Sequence, residues 1–473
     1  LKEKRKKMKK VLEHSIAVRC VKLINLILMV ASFAICWYAY YSQRLIIPYY
    51  SKGNWGVIAL FAIMYFTYCK IFDGFLVSIN RISEMVYSQM LAAFITNAIM
   101  YVVICLLMRS FPNVIPMLVL LVTQLAISIV WSMGAHTWYF KVYPPQKSAI
   151  IYDAREGMER LIDEYGMDKK FKVLFEIKSD TCINDLSILD EVETVFLSGI
   201  HSHDRNIILK YCVAKGINVY VIPRVGDVIM SGARKMHMFH LPMLRVGRYN
   251  PNPEFLFIKR LFDIILSLIA IIILSPIMIV VAFLIKVTDK GPVLYKQCRL
   301  TKNGKQFMVL KFRSMRVDAE KDGVARLSSG DKDDRITPIG KFIRKVRFDE
   351  LPQLFNILFG DMSIVGPRPE RPEIAAQYEK ELPEFNLRLQ AKAGLTGYAQ
   401  VYGKYNTTPY DKLQMDLMYI ASPSIIEDIK IMLATVKILF MPESTEGIAE
   451  GATTAMGVSN GEAAVSEEKK NLN

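Results

Sequence analysis

Long runs of apolar residues dominate the first third of the chain. A helix needs about 20 predominantly apolar residues to cross the hydrocarbon core of a bilayer, and the second run reaches that length only if it continues through Lys70 to Leu76. The pattern predicts a four-helix transmembrane anchor over residues 1–140. The four runs lie at residues 21–41, 55–68, 85–108 and 114–134.

Basic residues set the expected orientation of this anchor. Residues 2–10 are rich in lysine, Lys70 and Arg81 flank the second connection, and Lys141 and Lys147 follow the fourth run. Because positively charged connections stay on the cytosolic side, we expect both the N-terminus and the chain after the fourth helix to lie in the cytosol. The runs contain no cluster of charges of the kind a transporter needs, which favours an anchor.

Short apolar runs alternate with helical stretches between about residues 147 and 248. This alternation is typical of a doubly wound parallel sheet, so we expect a cytosolic, Rossmann-like α/β module over residues 141–250. The turn after its first strand lacks the glycine pattern that cradles a dinucleotide. A structural or regulatory role is therefore favoured over dinucleotide binding. The predicted strands are 149–152, 172–177, 194–197 and 217–222, and the predicted helices are 154–165 and 203–215.

A further uncharged run, residues 264–285, is long enough to span a bilayer. A crossing here would carry a basic remainder outside, against the charge rule. Ser275 and Pro276 near its middle predict a break, because proline removes a backbone donor and a serine hydroxyl can satisfy a freed carbonyl. We therefore expect a re-entrant helix over residues 260–286, with a kinked spanning helix as the alternative. The flanking basic residues are Lys259, Arg260, Lys286 and Lys290.

Overall composition narrows the class of protein. The 473 residues carry a net charge of +15, and 52% of them are hydrophobic. That combination is typical of a membrane protein with basic cytosolic surfaces. No zinc-finger spacing or RNA-binding signature accompanies the charge, so nucleic acid is not an expected partner. The seven cysteines are scattered without a C-x-x-C pair, which disfavours a disulfide framework.

Two adjacent carboxylates, Asp349 and Glu350, stand at the start of a short predicted helix. Gly360 predicts where this helix ends. Cations on both sides of a carboxylate pair suit the handling of a phosphate and a divalent metal. From these residues alone, a helix cap with solvated ion pairs is an equally good reading. The predicted buried face is Leu351, Leu354, Phe355 and Leu358, and the surrounding cations are Arg344, Lys345, Arg347 and Arg368.

The dyad lies in a predicted mixed α/β domain over residues 251–440. One of its strands, at 307–315, would place Lys311 and Arg313 on the same face. The last apolar run, 425–440, carries several charges and is expected to lie on the membrane surface. Residues 441–473 are rich in glycine, alanine, serine and glutamate, which predicts a disordered tail.

Six short motifs occur in one order along this domain. Together they resemble the bacterial sugar transferases, also called monotopic phosphoglycosyl transferases or polyprenyl-phosphate sugar-1-phosphate transferases. With the anchor and the α/β module, the chain looks like the long form of that family, which starts exopolysaccharide, capsule or O-antigen repeat units. The motifs are Lys-Arg-Leu-Phe-Asp (259–263), Ser-Pro (275–276), Lys-Phe-Arg-Ser-Met (311–315), Asp-Glu-Leu-Pro-Gln (349–353), Gly-Pro-Arg-Pro-Glu (366–370) and Gly-Leu-Thr-Gly (394–397).

The resemblance implies an undecaprenyl-phosphate hexose-1-phosphate transferase. Such an enzyme moves the sugar-1-phosphate of a UDP-sugar, with UDP-glucose or UDP-galactose favoured, to undecaprenyl phosphate and releases UMP. The resemblance implies that Asp349 is the nucleophile of a phosphosugar-aspartyl intermediate, and that both dyad carboxylates hold Mg²⁺ while Glu350 assists the lipid acceptor. The implied phosphate- or substrate-binding residues are Arg344, Arg368, Lys311, Arg313 and Glu370.

The implied location is the bacterial inner membrane, with the soluble domains and the active site on the cytosolic face. A homodimer is a further expectation. Two alternatives stay open at this point. One is a membrane glycosyl transferase that moves only the sugar and releases UDP, and the other is a non-catalytic scaffold that binds nucleotide sugars.

Overall fold

The structure is a computed structural model, and its two compact units comprise Leu1–Ile222 and Pro223–Asn473. The predicted division into four parts stays a prediction. The predicted tail at 441–473 lies outside the residues that the structure describes. The described residues are 2–47, 52–153, 155–238, 240–249, 251–289, 291–316, 335–403 and 407–439.

The first unit begins with the four predicted apolar helices. Helix α1 continues into a π-helical turn at Trp37–Tyr41, and large side chains fill the interior, with Phe33 stacked on Phe61 at 4.3 Å between ring centroids. Each of the four is long and apolar enough to cross a membrane. Their bounds are α1 Lys2–Cys36, α2 Lys52–Ile71, α3 Ile82–Met108 and α4 Ile115–Val142.

Buried polar side chains hydrogen-bond across the interior of this helical bundle. The Asn25 amide nitrogen donates to Gln89 Oε1 at 3.1 Å, and the Tyr65 hydroxyl donates to Asn25 Oδ1 at 2.9 Å. Asn97 Nδ2 donates to Gln124 Oε1 at 2.7 Å, which joins α3 to α4. Because a bilayer offers no water to satisfy such groups, these contacts add polar links between helices that otherwise pack through apolar surfaces.

A four-stranded sheet follows in the same unit, and its strands lie where the sequence predicts them. All neighbouring pairs are parallel, and the strand order is β2-β1-β3-β4. Val195 and Leu197 pack with Ile208 and Cys212 on one face, whereas Phe196 packs with Ile150 on the other. The elements are β1 Gln146–Tyr152, α5 Met158–Glu164, β2 Phe171–Lys178, α6 Ser179–Asn184, β3 Thr194–Ser198, α7 Ser202–Lys215 and β4 Asn218–Val221.

The second unit contains one very long helix and a set of short elements around it. Its sheets are two-stranded: β5 with β6 and β7 with β8 are antiparallel, and β9 with β10 is parallel. The elements are α8 Val225–Ser231, β5 Arg234–Met238, β6 Leu241–Arg245, α9 Pro253–Asp289, β7 Leu294–Leu300, β8 Gln306–Phe312, α10 Pro338–Lys345, α11 Gln353–Phe359, β9 Ser363–Val365, α12 Pro372–Glu381, β10 Gly394–Thr396, α13 Tyr398–Tyr402, α14 Pro409–Ala421 and α15 Ile425–Leu439.

Helix α9 contacts the rest of the second unit along one face. The Arg260 guanidinium donates to the carbonyls of Ile357 and Leu358, and Asp263 accepts from the Ile364 amide. Apolar residues at helical spacing continue this face to the end of the helix: Ala270, Ile271, Leu274, Met278, Val281, Ala282 and Ile285. The opposite face exposes large apolar side chains, among them Ile265, Ile272, Ile279 and Phe283.

Two of the sequence motifs meet at the parallel pair β9–β10. The Gly366 amide donates to the Thr396 carbonyl, and the Gly394 amide donates to the Pro367 carbonyl, both at 2.9 Å. A Cβ atom at Gly366 would collide with the Lys392 carbonyl, and one at Gly397 would collide with the Gly366 carbonyl. Glycine is therefore required where these two segments cross, and this crossing fixes the loop that carries Arg368.

Candidate active site

The carboxylate dyad lies in a single 3-10 turn, Phe348–Glu350, between α10 and α11. Arg347, the residue before the turn, has a left-handed backbone with φ of 56°. Such a backbone is uncommon outside glycine, and here it lies between the end of α10 and the turn that carries the dyad. Gly360 is left-handed as well, with φ of 97°, and ends α11 at the residue that the sequence predicts.

The buried face of α11 differs from the prediction. Of the four leucine and phenylalanine positions expected there, only Leu354 is fully buried, whereas Leu351, Phe355 and Leu358 are partly exposed. The buried face instead combines Leu354 and Ile357 with two polar residues, Gln353 and Asn356. Residues of both β8 and α9 pack against this helix, so its buried surface is wider than a single stripe.

Glu350 is held by two cations. Lys311 Nζ lies 3.0 Å and Arg368 Nη2 lies 3.2 Å from the same carboxylate oxygen, Oε1. The Glu350 side chain is only 15% exposed. Although its burial opposes ionisation, Lys311 and Arg368 keep the pKa of Glu350 well below its usual range. Glu350 is therefore a fixed carboxylate anion at neutral pH.

Asp349 has a different environment. Within the described ranges, no hydrogen bond or ion pair joins its carboxylate to another side chain. Burial and, second, the neighbouring Glu350 charge raise the pKa of Asp349 above its ordinary value, and Lys311, Arg344 and Arg347 oppose that rise. The two adjacent carboxylates thus divide into one that is firmly paired and one that is left available.

Arg344 lies on α10, five residues before the dyad, and is close enough to lower the Asp349 pKa. Its Nη1 atom is buried and has no hydrogen-bond partner in the part of the chain that the structure describes. A buried guanidinium nitrogen without an acceptor is costly unless a further acceptor arrives. A phosphate oxygen is the acceptor that a guanidinium fits best.

Lys311 and Arg313 have different contacts. Lys311, near the end of β8, reaches Glu350, but the Arg313 guanidinium packs against Gly291, where a Cβ atom would collide with it. The Arg313 amide also donates to the Val293 carbonyl at 2.9 Å. Arg313 is buried, and the largest cationic influences on the pKa values of the dyad carboxylates come from Lys311, Arg344, Arg347 and Arg368. Arg313 therefore lies against the segment that links α9 to β7.

Glu370 lies among arginines. Its two carboxylate oxygens face Arg299 at 3.8 Å and Arg388 at 3.6 Å. Burial lowers the pKa of Arg299 to about 10, and Glu370 opposes this effect. Arg299 Nη1 also donates to the Pro369 carbonyl at 3.0 Å. Glu370 thus anchors the end of the Pro-Arg-Pro loop to Arg299 and Arg388, while Arg368 of the same loop contacts Glu350 of the dyad.

Three supporting residues were not identified from the sequence: Asn356, Arg388 and Asp416. The Arg388 guanidinium donates to Asp416 Oδ2 from Nε at 2.8 Å and from Nη2 at 2.6 Å, and Nη2 also donates to the Arg368 carbonyl at 2.9 Å. The one sequence signal was a polar residue inside an apolar helical pattern: Asn356 in α11 and Asp416 in α14.

Ser275 and Pro276 lie in the middle of α9, far along the chain from the dyad. The helix continues through Pro276 as one 37-residue element, and Ser275 Oγ donates to the Ile272 carbonyl at 2.8 Å. The helix is thus not interrupted at the predicted break. Serine bonding to a carbonyl in the preceding turn is a common accompaniment of helix bending, and Pro276 leaves a backbone carbonyl of that turn without its usual amide donor.

No group of three or more histidine, cysteine, aspartate or glutamate side chains that could hold a metal ion occurs among the described residues. The dyad by itself offers two carboxylates. Mg²⁺ is commonly bound by one or two carboxylates together with water and substrate phosphates, so the dyad fits this ion in the presence of a diphosphate substrate. Both contacts to Glu350 fall on Oε1, which leaves Oε2 as an oxygen donor.

Comparisons with known proteins point to the same segment. A family model described as bacterial sugar transferase matches residues 255–442. The chain is 43% identical over 190 residues to the exopolysaccharide production protein PSS of Rhizobium leguminosarum bv. phaseoli, and the match covers 38% of this chain and 94% of that protein.

Two longer relatives are similar over the same region. The chain is 43% identical over 224 residues to a UDP-glucose:undecaprenyl-phosphate glucose-1-phosphate transferase of Klebsiella pneumoniae, with 46% of this chain and 48% of that protein covered. It is 38% identical over 232 residues to a UDP-N-acetylgalactosamine-undecaprenyl-phosphate N-acetylgalactosaminephosphotransferase of Aeromonas hydrophila, with 48% and 54% covered. The chain thus spans about half the length of these two relatives.

Proposed function

Because the chain belongs to the bacterial sugar transferase family, we propose that it transfers a sugar-1-phosphate from a UDP-sugar to undecaprenyl phosphate and releases UMP. The observation that carries this proposal is the asymmetry of the dyad. Glu350 is paired with Lys311 and Arg368, whereas Asp349 has no such partner among the described residues. An available carboxylate beside a fixed one, surrounded by cations, suits a covalent phosphoryl transfer.

The first step forms a bond between an Asp349 carboxylate oxygen and the β-phosphorus of the UDP-sugar. The bond between that phosphorus and the oxygen bridging to the α-phosphorus breaks, and UMP leaves with the bridging oxygen. The product is an acyl phosphate, a mixed anhydride in which the sugar phosphate is bound to the Asp349 carboxylate. In the second step, an oxygen of the lipid phosphate attacks the same phosphorus and displaces the Asp349 carboxylate, which regenerates the dyad.

The cations around the dyad act on the charge of the transferring group. Arg344 offers a buried guanidinium nitrogen that lacks an acceptor among the described residues, which suits a diphosphate oxygen. Arg368, whose side chain is about 40% exposed, can reach substrate while it contacts Glu350. Lys311 serves mainly to hold Glu350. Preorganised cations of this kind stabilise charge that develops on phosphoryl oxygens.

Mg²⁺ is the proposed cofactor, held by Asp349 and Glu350 together with the diphosphate. When bound, it would neutralise charge on the phosphoryl oxygens. Asp349 would act as nucleophile through the oxygen that the ion leaves available, and the Glu350 carboxylate would orient the lipid phosphate during the second step.

The membrane position of the site follows from the two substrates. We propose that α9 is re-entrant, dips into the cytosolic leaflet of the inner membrane and keeps both ends in the cytosol. One face of α9 contacts the soluble part of the unit from Arg260 to Ile285, and the other face exposes apolar side chains. A helix that is covered by its own domain along its length fits an embedded position better than a crossing. It would bring the dyad to the headgroup level.

The sheet of the first unit has a less direct role in this proposal. Its four parallel strands in the order β2-β1-β3-β4 support a Rossmann-like module, and we assign it a structural or regulatory function beside the transferase. We favour UDP-glucose or UDP-galactose as donor and initiation of exopolysaccharide, capsule or O-antigen repeat units as the biological step. The relatives named above use glucose and N-acetylgalactosamine donors.

The deciding experiment incubates the purified full-length protein with undecaprenyl phosphate, Mg²⁺ and a panel of UDP-sugars. Both nucleotide products are separated and measured. Release of UMP with formation of a lipid diphosphate-sugar is the expected result. Release of UDP would identify a glycosyl transferase that moves only the sugar, and binding of UDP-sugar without either product would identify a scaffold. Either outcome would overturn the proposal.

A further inference from the structure

Asn356 connects the dyad segment to the strand that carries Lys311. Its amide nitrogen donates to the Met308 carbonyl at 2.9 Å, and its amide oxygen accepts from the Leu310 amide at 2.9 Å. Its side chain is buried, with 3% of the residue exposed. The Asn356 side-chain amide therefore both donates to and accepts from the backbone of β8, as the backbone of a neighbouring strand would.

This contact matters because it lies on β8 directly beside Lys311. β8 pairs with β7 along one edge only, as a two-stranded sheet. Lys311 is the residue directly after Leu310, and its ammonium lies 3.0 Å from Glu350 Oε1. Glu350 in turn lies six residues before Asn356 on the same turn-and-helix segment. Two contacts therefore join the dyad segment to β8: the Asn356 amide bonds to the backbone of β8, and Lys311 of β8 pairs with Glu350.

We propose that Asn356 is a positioning residue that sets the register of β8 against α11 and so places Lys311 on Glu350. This inference rests on the proposed function for its catalytic consequence. Register matters here because a strand alternates faces: a shift of β8 by one residue would turn Lys311 to the other side. An apolar residue at position 356 could fill the space, but it could not select between adjacent backbone positions of β8.

A first test measures the placement of Lys311 without any use of activity. Lys311 is treated with an amine-acylating reagent in the full-length protein, and the extent of modification is read by mass spectrometry. In the unsubstituted protein we expect Lys311 to react slowly, because its side chain is 20% exposed and its ammonium is paired with Glu350. In Asn356→Leu we expect Lys311 to react several-fold faster, and we expect the same in Glu350→Gln, where the carboxylate that pairs with Lys311 is removed.

Arg260→Met is the matched control. Arg260 also makes two hydrogen bonds to the segment of α11, to the carbonyls of Ile357 and Leu358 at 2.7 and 2.8 Å, but it comes from α9 and those bonds do not involve β8. Loss of its contacts should weaken the fold while Lys311 keeps its slow reaction. Equal exposure of Lys311 in Arg260→Met and Asn356→Leu would overturn the proposal, because it would show a general loosening.

A second test is a double-mutant cycle on UMP release. Asn356→Leu is expected to lower kcat/KM about 10-fold or more, as small displacements of a catalytic group do. Because this loss acts through Lys311, Asn356→Leu should add nothing in a Lys311→Met background, whereas the effect of Arg260→Met should multiply with it. Full multiplication of the Asn356 and Lys311 effects would overturn the proposal.

Asn356→Asp covers the case in which Asn356→Leu fails to fold. The aspartate can still accept from the Leu310 amide, but it repels the Met308 carbonyl, so Lys311 should again react faster than in the unsubstituted protein. If the unsubstituted protein forms no UMP, the proposed function fails. The acylation experiment still decides the placement of Lys311 in that case. If UMP forms but the reactivity of Lys311 is unchanged in both Asn356 variants, only the present inference fails.

Discussion

Lys311 Nζ lies 3.0 Å from Glu350 Oε1, and this contact separates the properties of two adjacent carboxylates. It contributes, with Arg368, to the low pKa of Glu350, while the Glu350 charge is one of the causes that raise the pKa of Asp349. Paired carboxylates with opposite shifts are a recurring way to give two like residues different roles. Here the raised pKa belongs to the residue proposed as the nucleophile.

The first prediction concerns the pH dependence of the first half-reaction. Asp349 must be ionised to attack, so the rate should fall as pH falls through its pKa, which lies above the ordinary value of about 3.9. Lys311→Met removes the largest attraction for the Asp349 charge, so the acidic limb should move to higher pH. The measurement is single-turnover UMP release without lipid, which keeps titration of the lipid phosphate out of the profile.

Lys302→Met serves as the control for this shift, because Lys302 is exposed in the turn between β7 and β8. The acidic limb of the pH–rate profile of Lys302→Met should coincide with that of the unsubstituted protein. An acidic limb that stays in place or moves to lower pH in Lys311→Met would contradict the assignment of that limb to Asp349.

The second prediction tests the covalent role of Asp349. Asp349→Ala and Asp349→Asn should both lower UMP release by at least about 10³-fold, as the loss of a nucleophile does in other covalent enzymes. Neither variant should retain sugar phosphate on the protein after a quench with UDP-sugar labelled at the β-phosphorus. The unsubstituted protein and Glu373→Gln, a change at an exposed carboxylate on α12, should both trap label. Trapped label in Asp349→Asn would place the nucleophile elsewhere.

Apolar runs, periodicity and turn residues predicted the helices and strands whose formation depends mainly on neighbouring residues. The four parallel strands, the helices of the bundle and the end of α11 at Gly360 lie where periodicity, apolar runs and turn residues indicated. The dyad and its cations Lys311 and Arg368 were likewise identified as candidates, and the structure brings those residues together. Motifs carry such information because short segments determine both their own conformation and the chemistry of their side chains.

Residues that act through long-range contacts were beyond the same reasoning. Arg388 and Asp416 are 28 residues apart, on segments whose pairing no local pattern reveals. The contact of the Arg313 guanidinium with Gly291 is likewise a contact that strand alternation alone does not indicate. The buried face of α11 was misjudged because two elements pack on that helix, and a single-stripe pattern assumes one.

The third prediction concerns the buried pair of Arg388 and Asp416. Both side chains are almost fully covered, with 4% and 1% exposed. Arg388→Met leaves the Asp416 carboxylate buried without its guanidinium, a change that typically costs about 3–5 kcal/mol. The apparent Tm of the full-length protein should fall by roughly 10 °C. In the double variant Arg388→Met with Asp416→Leu, much of that loss should be recovered, because Asp416 no longer leaves an unpaired carboxylate in the interior and Glu370 keeps its contact with Arg299.

Recovery of stability should not restore activity in this double variant. Arg388 Nη2 also donates to the Arg368 carbonyl at 2.9 Å, so the loop that presents Arg368 to Glu350 still lacks one of the contacts that position it. Thermal unfolding and UMP release measured on the same samples separate the two effects. Full activity in the stable double variant would show that the contact with the Arg368 carbonyl has no role in catalysis.

The fourth prediction concerns the interior of the helical bundle. Asn25→Leu removes the acceptor of the Tyr65 hydroxyl and the donor to Gln89. Interhelical hydrogen bonds in membranes contribute about 0.6–2 kcal/mol each, so the bundle should unfold at a lower temperature in detergent, as read by tryptophan fluorescence. Thr67→Val is the matched control, since Thr67 is exposed and bonds only within its own helix. Equal melting of the two variants would contradict a stabilising role for the Asn25 contacts.

The fifth prediction concerns the topology of α9. We propose that α9 is re-entrant, and the observation that favours this is that its contacts within its own unit recur on one face from Arg260 to Ile285. In a background without the seven native cysteines, single cysteines at Leu256 and Val287, both exposed, should react with a membrane-impermeant reagent from the same, cytosolic side. A cysteine at Phe111, in the exposed connection between α3 and α4, should react from the opposite side and calibrates the assay. Labelling of positions 256 and 287 from opposite sides would establish a fifth crossing and would move the dyad away from the cytosolic supply of UDP-sugar.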